Sequence, residues 1–131
     1  MDIQSPKDVE VAFQAATKGR ADALLFRLRG PILSPRRKEV AKLAVKSRLP
    51  AIYEGVEEVE AGGLMSYGVS NIDLYRRAAS FVDKILKGVN PADLPIEQPM
   101  KFEFIINLKA AKQIGLTIPP NVLARADKVI Q

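Results

Sequence analysis

The chain has 131 residues, 47% of them hydrophobic, with no cysteine, no histidine and a formal net charge of +5. That length suits one domain with a sizeable core, and the missing thiols and imidazoles exclude disulfides, thiolate or imidazole metal sites, a cysteine nucleophile and a histidine base. No run approaches the ~18 consecutive apolar residues of a membrane span, and the opening MDIQSPKDVEVAF lacks the basic and apolar regions of a secretory signal.

Ser5-Pro6-Lys7-Asp8 opens the first predicted helix: a capping serine, proline at the first helical position and an acid at the positive helix end. Val9, Phe13 and Ala16 mark its buried face and Gly19 stops it. The strand that would normally feed this helix falls at Met1–Ile3, which is short for one. Ala23–Phe26 is a continuous apolar run, the pattern of a strand covered on both faces in a parallel sheet. Gly30-Pro31 breaks it. Ser34-Pro35 caps a second helix that runs to about Ser47 and carries Arg36 and Arg37 in its first turn, where positive charge is unfavourable.

Leu49–Tyr53 reads as a second strand, Glu57–Ala61 as a single helical turn, and Gly63–Val69 as a third strand. Ser70-Asn71-Ile72-Asp73 repeats the capping pattern and opens a long helix with an apolar stripe through Leu74, Tyr75, Ala78, Ala79, Val82, Ile85 and Leu86; Gly88 and Pro91 end it. Pro91–Pro99 reads as a surface loop, Phe102–Ile106 as a fourth strand, and Asn107 to Gly115 as a short helix. A last helix is predicted from Pro119-Pro120, with Val122, Leu123, Ala126, Val129 and Ile130 as its apolar side. The alternation predicts a single α/β domain over 1–131, three-layered, with a mainly parallel sheet and helices on both faces.

The charge is uneven. Ten Lys/Arg lie between Lys18 and Arg48 against Asp22 and Glu39, and five acids with no base lie between Leu49 and Asp73. Lys38, Lys42 and Lys46 recur every four residues, opposite Val40, Leu43 and Ala44, which is the pattern of a solvated helix face. Phe26 is the one aromatic residue among the bases from Lys18 to Arg48, so nucleic acid is not expected as a partner.

Little in the chain suggests chemistry. There is no G-x-G-x-x-G and no G-x-x-x-x-G-K, and Gly62-Gly63 precedes a strand where a phosphate-cradling turn follows one. The run Glu54, Glu57, Glu58, Glu60 reads as a solvated surface. Ser66 lacks both the glycine spacing of a nucleophile elbow and any histidine to activate it. No catalytic residue, metal or cofactor is expected, and the chain is not expected to be an enzyme.

Binding has better material. Ligands of open parallel sheets sit outside the carboxyl ends of the strands. Those ends carry Arg29-Gly30, Tyr53-Glu54-Gly55 and Ser66-Tyr67-Gly68. Arg29, Tyr53, Glu54, Ser66 and Tyr67 together offer a guanidinium, two rings, a carboxylate and a hydroxyl, a set suited to a zwitterion with an apolar or aromatic body. The plainer reading makes Tyr53 and Tyr67 packing residues whose hydroxyls reach the rim.

The pieces LPAIY, EAGGLMSYG, DLYRRAA, VDKILKG, PADLPIEQP, KFEFIINLKAAKQIGLTIPP and LARADKVI occur in order between Arg48 and Ile130, with ADALLF and RRKEVAKLA as looser echoes before them. In these the chain resembles the C-terminal part of a family of ABC-transporter substrate-binding proteins associated with aromatic amino-acid uptake. The resemblance implies one lobe and the crossover segment of a two-lobed periplasmic-binding-protein-like clamshell. It also implies a small-molecule ligand such as an amino acid, an ABC permease as partner of the full-length protein, and a hinge at Gly62, Gly63 and Gly68. Two departures stand out. The N-terminal lobe and signal peptide of the family are not in these residues, so half a clamshell should bind weakly. The segment FRLRGPILSPRR is more basic than the resemblance leads one to expect, through Arg27 and Arg29. The expected protein is a truncated or fragment form of a transport component, a homodimer through apolar surface such as Leu74, Phe81, Ile85, Phe102 or Phe104. It is periplasmic by resemblance, or cytoplasmic if the lack of a signal decides. The rival reading is a stand-alone intracellular sensing or interaction module that reuses the lobe.

Overall fold

The computed structural model describes residues 5–27 and 33–131. The proposed Met1–Ile3 strand and the Gly30-Pro31 break lie outside those residues. Helix α1 (Pro6–Lys18) starts as its capping pattern predicts: the Ser5 amide donates to Asp8 Oδ2 at 2.6 Å, and the Asp8 amide donates to the Ser5 carbonyl. A short 3-10 turn, Ser34–Arg36, leads into α2 (Arg37–Lys46). The two arginines there are compensated, Arg36 by Glu39 at 2.7 Å and Arg37 by Glu58 at 2.8 Å.

Strands β1 (Leu24–Phe26), β2 (Ala51–Tyr53) and β3 (Met65–Val69) run parallel, with α3 (Val56–Glu60) between the last two. Long helix α4 (Asn71–Leu86) is followed by a 3-10 turn at Pro91–Asp93, then β4 (Phe102–Asn107) and α5 (Leu108–Ile114). The predicted last helix is corrected. Only Pro120–Leu123 is helical (α6), and Lys128–Ile130 forms a strand, β5, parallel to β4. Asp127 explains the switch: its carboxylate accepts from the Phe104 amide at 2.8 Å and its amide donates to the Phe104 carbonyl, which locks the chain beside β4. Among the described residues the strands form one sheet in the order β1-β2-β3-β4-β5.

Two compact units can be described separately. The larger holds the described residues up to Gly68 together with Glu103–Gln131; the smaller is Val69–Phe102. In the larger unit one core joins Val9 and Phe13 of α1, Val40 and Ala44 of α2, and Leu49, Ala51 and Tyr53 along β2. A second joins Leu64, Ile106, Ala110, Ala111 and Ile118. The side chain of Leu25 is 77% exposed, so β1 is not covered on both faces as its apolar run predicts; among the described residues it is an edge strand.

In the smaller unit α4 has no buried residue, and Leu74, Phe81 and Ile85 line a groove of about 420 Å³ against the Pro91–Pro99 segment. No helix among the described residues is long and apolar enough to cross a membrane.

Asn107 ties β4 to α5. Its Oδ1 accepts from the Ala110 amide at 3.1 Å, capping the helix, and its Nδ2 donates to the Val59 carbonyl at 3.4 Å. Because the residue is buried, Asn107→Ala is expected to lower the unfolding free energy by about 1–2 kcal/mol in urea titrations. An unchanged midpoint would show that water replaces both bonds.

Candidate functional site

The parallel register places Phe26, Tyr53 and Ser66 in one row across β1, β2 and β3. Successive strand residues face opposite sides, so this row turns into the helix-covered core. Tyr53 is 1% exposed and Ser66 is buried. The Tyr53 ring stacks on Phe26 at 5.6 Å, and Phe26 lies 5.4 Å from Phe13, which makes an aromatic ladder from sheet to α1.

The next positions along the chain form the accessible rim: Arg27 after β1, Glu54 after β2, and Tyr67 in β3. Arg27 Nε lies 3.5 Å from Glu54 Oε2, a largely solvated pair. Tyr67 is 57% exposed and meets the Phe104 ring edge-on at 6.3 Å. The strand ends therefore bring a cation, a carboxylate and an aromatic ring to the carboxyl edge of the sheet. Of the five side chains proposed from sequence, Glu54 and Tyr67 reach this rim, while Tyr53 and Ser66 lie beneath it. Arg29 lies outside the described residues.

One buried acid is not singled out by the sequence. Glu58 belongs to the acid run read as solvated, yet it is buried and held by Arg37. The one local signal was the flanking Val56 and Val59, which turn α3 inward. Beside it the Tyr53 hydroxyl is fully buried and has no hydrogen-bond partner among the described residues. Burial, and then the Glu58 carboxylate, push its phenol above the ordinary tyrosine range.

The glycines differ in their reasons. Gly62 has φ of +110°, a conformation L side chains rarely adopt, with open space around it. At Gly63 a Cβ would lie 2.6 Å from the Tyr53 ring and 2.8 Å from the Glu58 carbonyl. At Gly68 a Cβ would fall onto the Glu54 carbonyl oxygen. Gly68 is also the last residue of the larger unit before the chain enters the smaller one.

A groove of about 560 Å³ lies elsewhere, lined by Phe13, Thr17, Leu43 and Lys46 of α1 and α2, and does not include the strand-end residues.

Residues 1–130 match the family model described as ABC transporter substrate binding protein. Among solved structures, a conserved domain protein from Vibrio cholerae O1 biovar El Tor superposes with a TM-score of 0.83 at 27% identity, covering 97% of this chain and 42% of that one. An ABC domain in complex with L-Trp from Streptococcus pneumonia gives 0.80 at 28% identity, over 99% of this chain and 43% of that one. A substrate-binding protein with adhesive properties from Clostridium difficile, in its ligand-free open form, shares the fold with a TM-score of 0.70 at 22% identity, over 98% and 42% of the two chains. No curated protein matches the chain. The chain thus spans about 42% of the length of the structures it resembles.

Proposed function

The chain belongs to the family of ABC transporter substrate-binding proteins, and from that premise we propose that it supplies one wall of a solute-binding cleft for an amino acid or a similar small zwitterion. The observation that carries this reading is the rim of Arg27, Glu54 and Tyr67 at the carboxyl ends of three neighbouring parallel strands, the place where open α/β sheets hold ligands. Glu54 is suited to an ammonium group, Arg27 to a carboxylate, and the Tyr67 ring to an apolar or aromatic body. The L-Trp held by the pneumococcal neighbour supports the aromatic amino-acid class.

Tyr53 and Ser66 serve this wall from below: they set the level at which the rim residues emerge. Gly68 marks the crossover point and Gly62 and Gly63 the turn before it, which supports a hinge reading for the three. The chain makes and breaks no bonds in this role. Its product is a loaded cleft presented to an ABC permease outside the cytoplasmic membrane, as in the family.

A single wall excludes little water, so affinity should be low. Isothermal titration with L-tryptophan is expected to give a dissociation constant near the millimolar range, about −4 kcal/mol. Tyr67→Ala and Glu54→Gln should each weaken it about tenfold, the loss of ~1.4 kcal/mol. No heat or thermal shift with any amino acid would overturn the reading. Equal binding by both variants would move the site off the rim.

A further inference from the structure

Beneath the rim lies a buried ion pair to which solute binding has so far given no task. Arg37 opens α2, the helix that follows β1, and Glu58 lies in α3, the helix that follows β2. Arg37 Nε donates to Glu58 Oε1 at 2.8 Å, and the Glu58 side chain is only 6% accessible. Among the described residues this is the one side-chain hydrogen bond between the two helices. Arg36, the neighbouring cation, turns to Glu39 three residues further on. The pair therefore ties together the helices entered from the two strand ends that carry Arg27 and Glu54.

Glu58 reaches both chain neighbours of Glu54. On one side is Gly55. A Cβ there would lie 2.6 Å from Glu58 Oε2 and 2.6 Å from Glu57 Oε2, so the Glu58 carboxylate rests against the backbone of the turn. On the other side is Tyr53, whose buried phenol feels the Glu58 charge. From β3, Gly68 presses on the same turn, since a Cβ there would fall onto the Glu54 carbonyl oxygen. Of the two acids that converge on Gly55, Glu57 is exposed, and Glu58 is buried with a cation.

Stability alone does not account for such a pair. Desolvating two charges costs about what their attraction returns, and apolar residues of similar volume often hold a core as well or better. What the pair supplies is direction. A charge-assisted bond constrains the distance and angle of its partners, and a planar guanidinium allows few alternatives. A carboxylate that grips an ammonium group needs that support, because a polar contact misplaced by ~1 Å loses most of its value.

We infer that Arg37 and Glu58 are positioning residues of the cleft wall: the pair braces the Glu54–Gly55 turn against the start of α2 and so sets where Glu54 meets a ligand's ammonium group. The inference rests on the reading of the rim as a solute site. Its contacts lie wholly inside the larger unit.

The test replaces both partners at once, Arg37→Met with Glu58→Leu. Losing a buried pair to apolar residues leaves stability near wild type, so a merely structural pair predicts unchanged affinity in a folded chain. A brace predicts a loss. The double variant is expected to keep its urea midpoint and to bind L-tryptophan at least about tenfold more weakly by calorimetry. Its amides at residues 54–56 should exchange with deuterium at least about tenfold faster, while those of α5 keep their wild-type rates. Glu58→Gln, which leaves an oxygen for Arg37 Nε, should stay within about threefold of wild type in both readouts. Wild-type exchange at 54–56 in the double variant overturns the inference, and so does wild-type affinity. If the double variant does not fold, Arg37→Lys serves instead: it keeps the charge but not the fork, and exchange at 54–56 no faster than wild type overturns the brace. If the wild-type chain itself takes no amino acid, the solute reading falls and the positioning role falls with it. Faster exchange at 54–56 would then show a brace on the turn alone, which separates the two failures.

Discussion

Replacing Tyr53 by alanine is expected to lower the unfolding free energy by about 3–5 kcal/mol, a loss on the scale of a deleted core aromatic. The ring is the middle of a cluster, stacked on Phe26, packed among Val40, Ala44 and Leu49, and lying where Gly63 leaves no room for a side chain. Its removal leaves a cavity that two strands and a helix cannot close. The hydroxyl is another matter. It is buried without a hydrogen-bond partner among the described residues, next to a carboxylate. Tyr53→Phe removes an unpaired polar group and keeps the ring, so it should be neutral or stabilise by up to about 1 kcal/mol. Urea titration of both variants checks the pair. A phenylalanine variant nearly as unstable as the alanine would show that the hydroxyl is bonded in solution, and the core reading of Tyr53 would give way to a binding one.

The same phenol adds a pH signature. Its folded value is raised, by burial first and by Glu58 second, while in the unfolded chain it ionises near the ordinary tyrosine value of about 10. Below that value both states hold the proton and the contribution to stability is fully present. Above it the unfolded state releases the proton more readily, so stability is lost as pH rises toward the folded value. Wild type should therefore lose stability more steeply than Tyr53→Phe above about pH 10. Parallel slopes would place the phenol in water.

Local grammar carried most of the fold. The Ser5–Asp8 cap, the start of α4 directly after Ser70 and the glycine stop of α5 at Gly115, with φ of +75°, are all readable because each depends on residues within one turn. What escaped depends on distant partners. Strand β5 is three residues long and exists because β4 is there to pair with it; Val122, Leu123, Ala126, Val129 and Ile130 fit a helical stripe equally well. Glu58 looked solvated because its cation, Arg37, is twenty-one residues away. Leu25 looked buried because an apolar run does not say whether its strand is at the edge.

The rim was half legible. Adjacent strand residues point to opposite sides, so Ser66 and Tyr67 could not both face one groove. Alternation alone separates them into a buried hydroxyl and an exposed ring. The same rule, applied through the register, sends Tyr53 inward with Ser66. Arg27 lies in a segment more basic than the resemblance implies, yet its pairing with Glu54 makes it a neighbour of the site. Which strands are adjacent is a tertiary fact, and only that fact joins these residues.

The glycines of EAGGLMSYG lead to the second large effect. Gly68→Ala is expected to cost about 3 kcal/mol, and Gly62→Ala only about 1 kcal/mol. At Gly62 the penalty is conformational: φ is +110° and no atom stands within 4 Å of the added carbon. At Gly68 it is steric, and the obstacle is the Glu54 backbone, which cannot swing aside as a flexible side chain can. Relief requires moving the end of β2 away from β3, and with it the Glu54 and Tyr67 pair that forms the rim. Gly68→Ala should accordingly weaken ligand binding beyond its effect on folding, while Gly62→Ala should leave binding nearly unchanged. Urea titration and calorimetry on the two variants decide it. If Gly62→Ala proved the costlier, backbone freedom before β3 would outweigh the close crossing at its end, and the tight seat of β3 against β2 would not be what sets the rim.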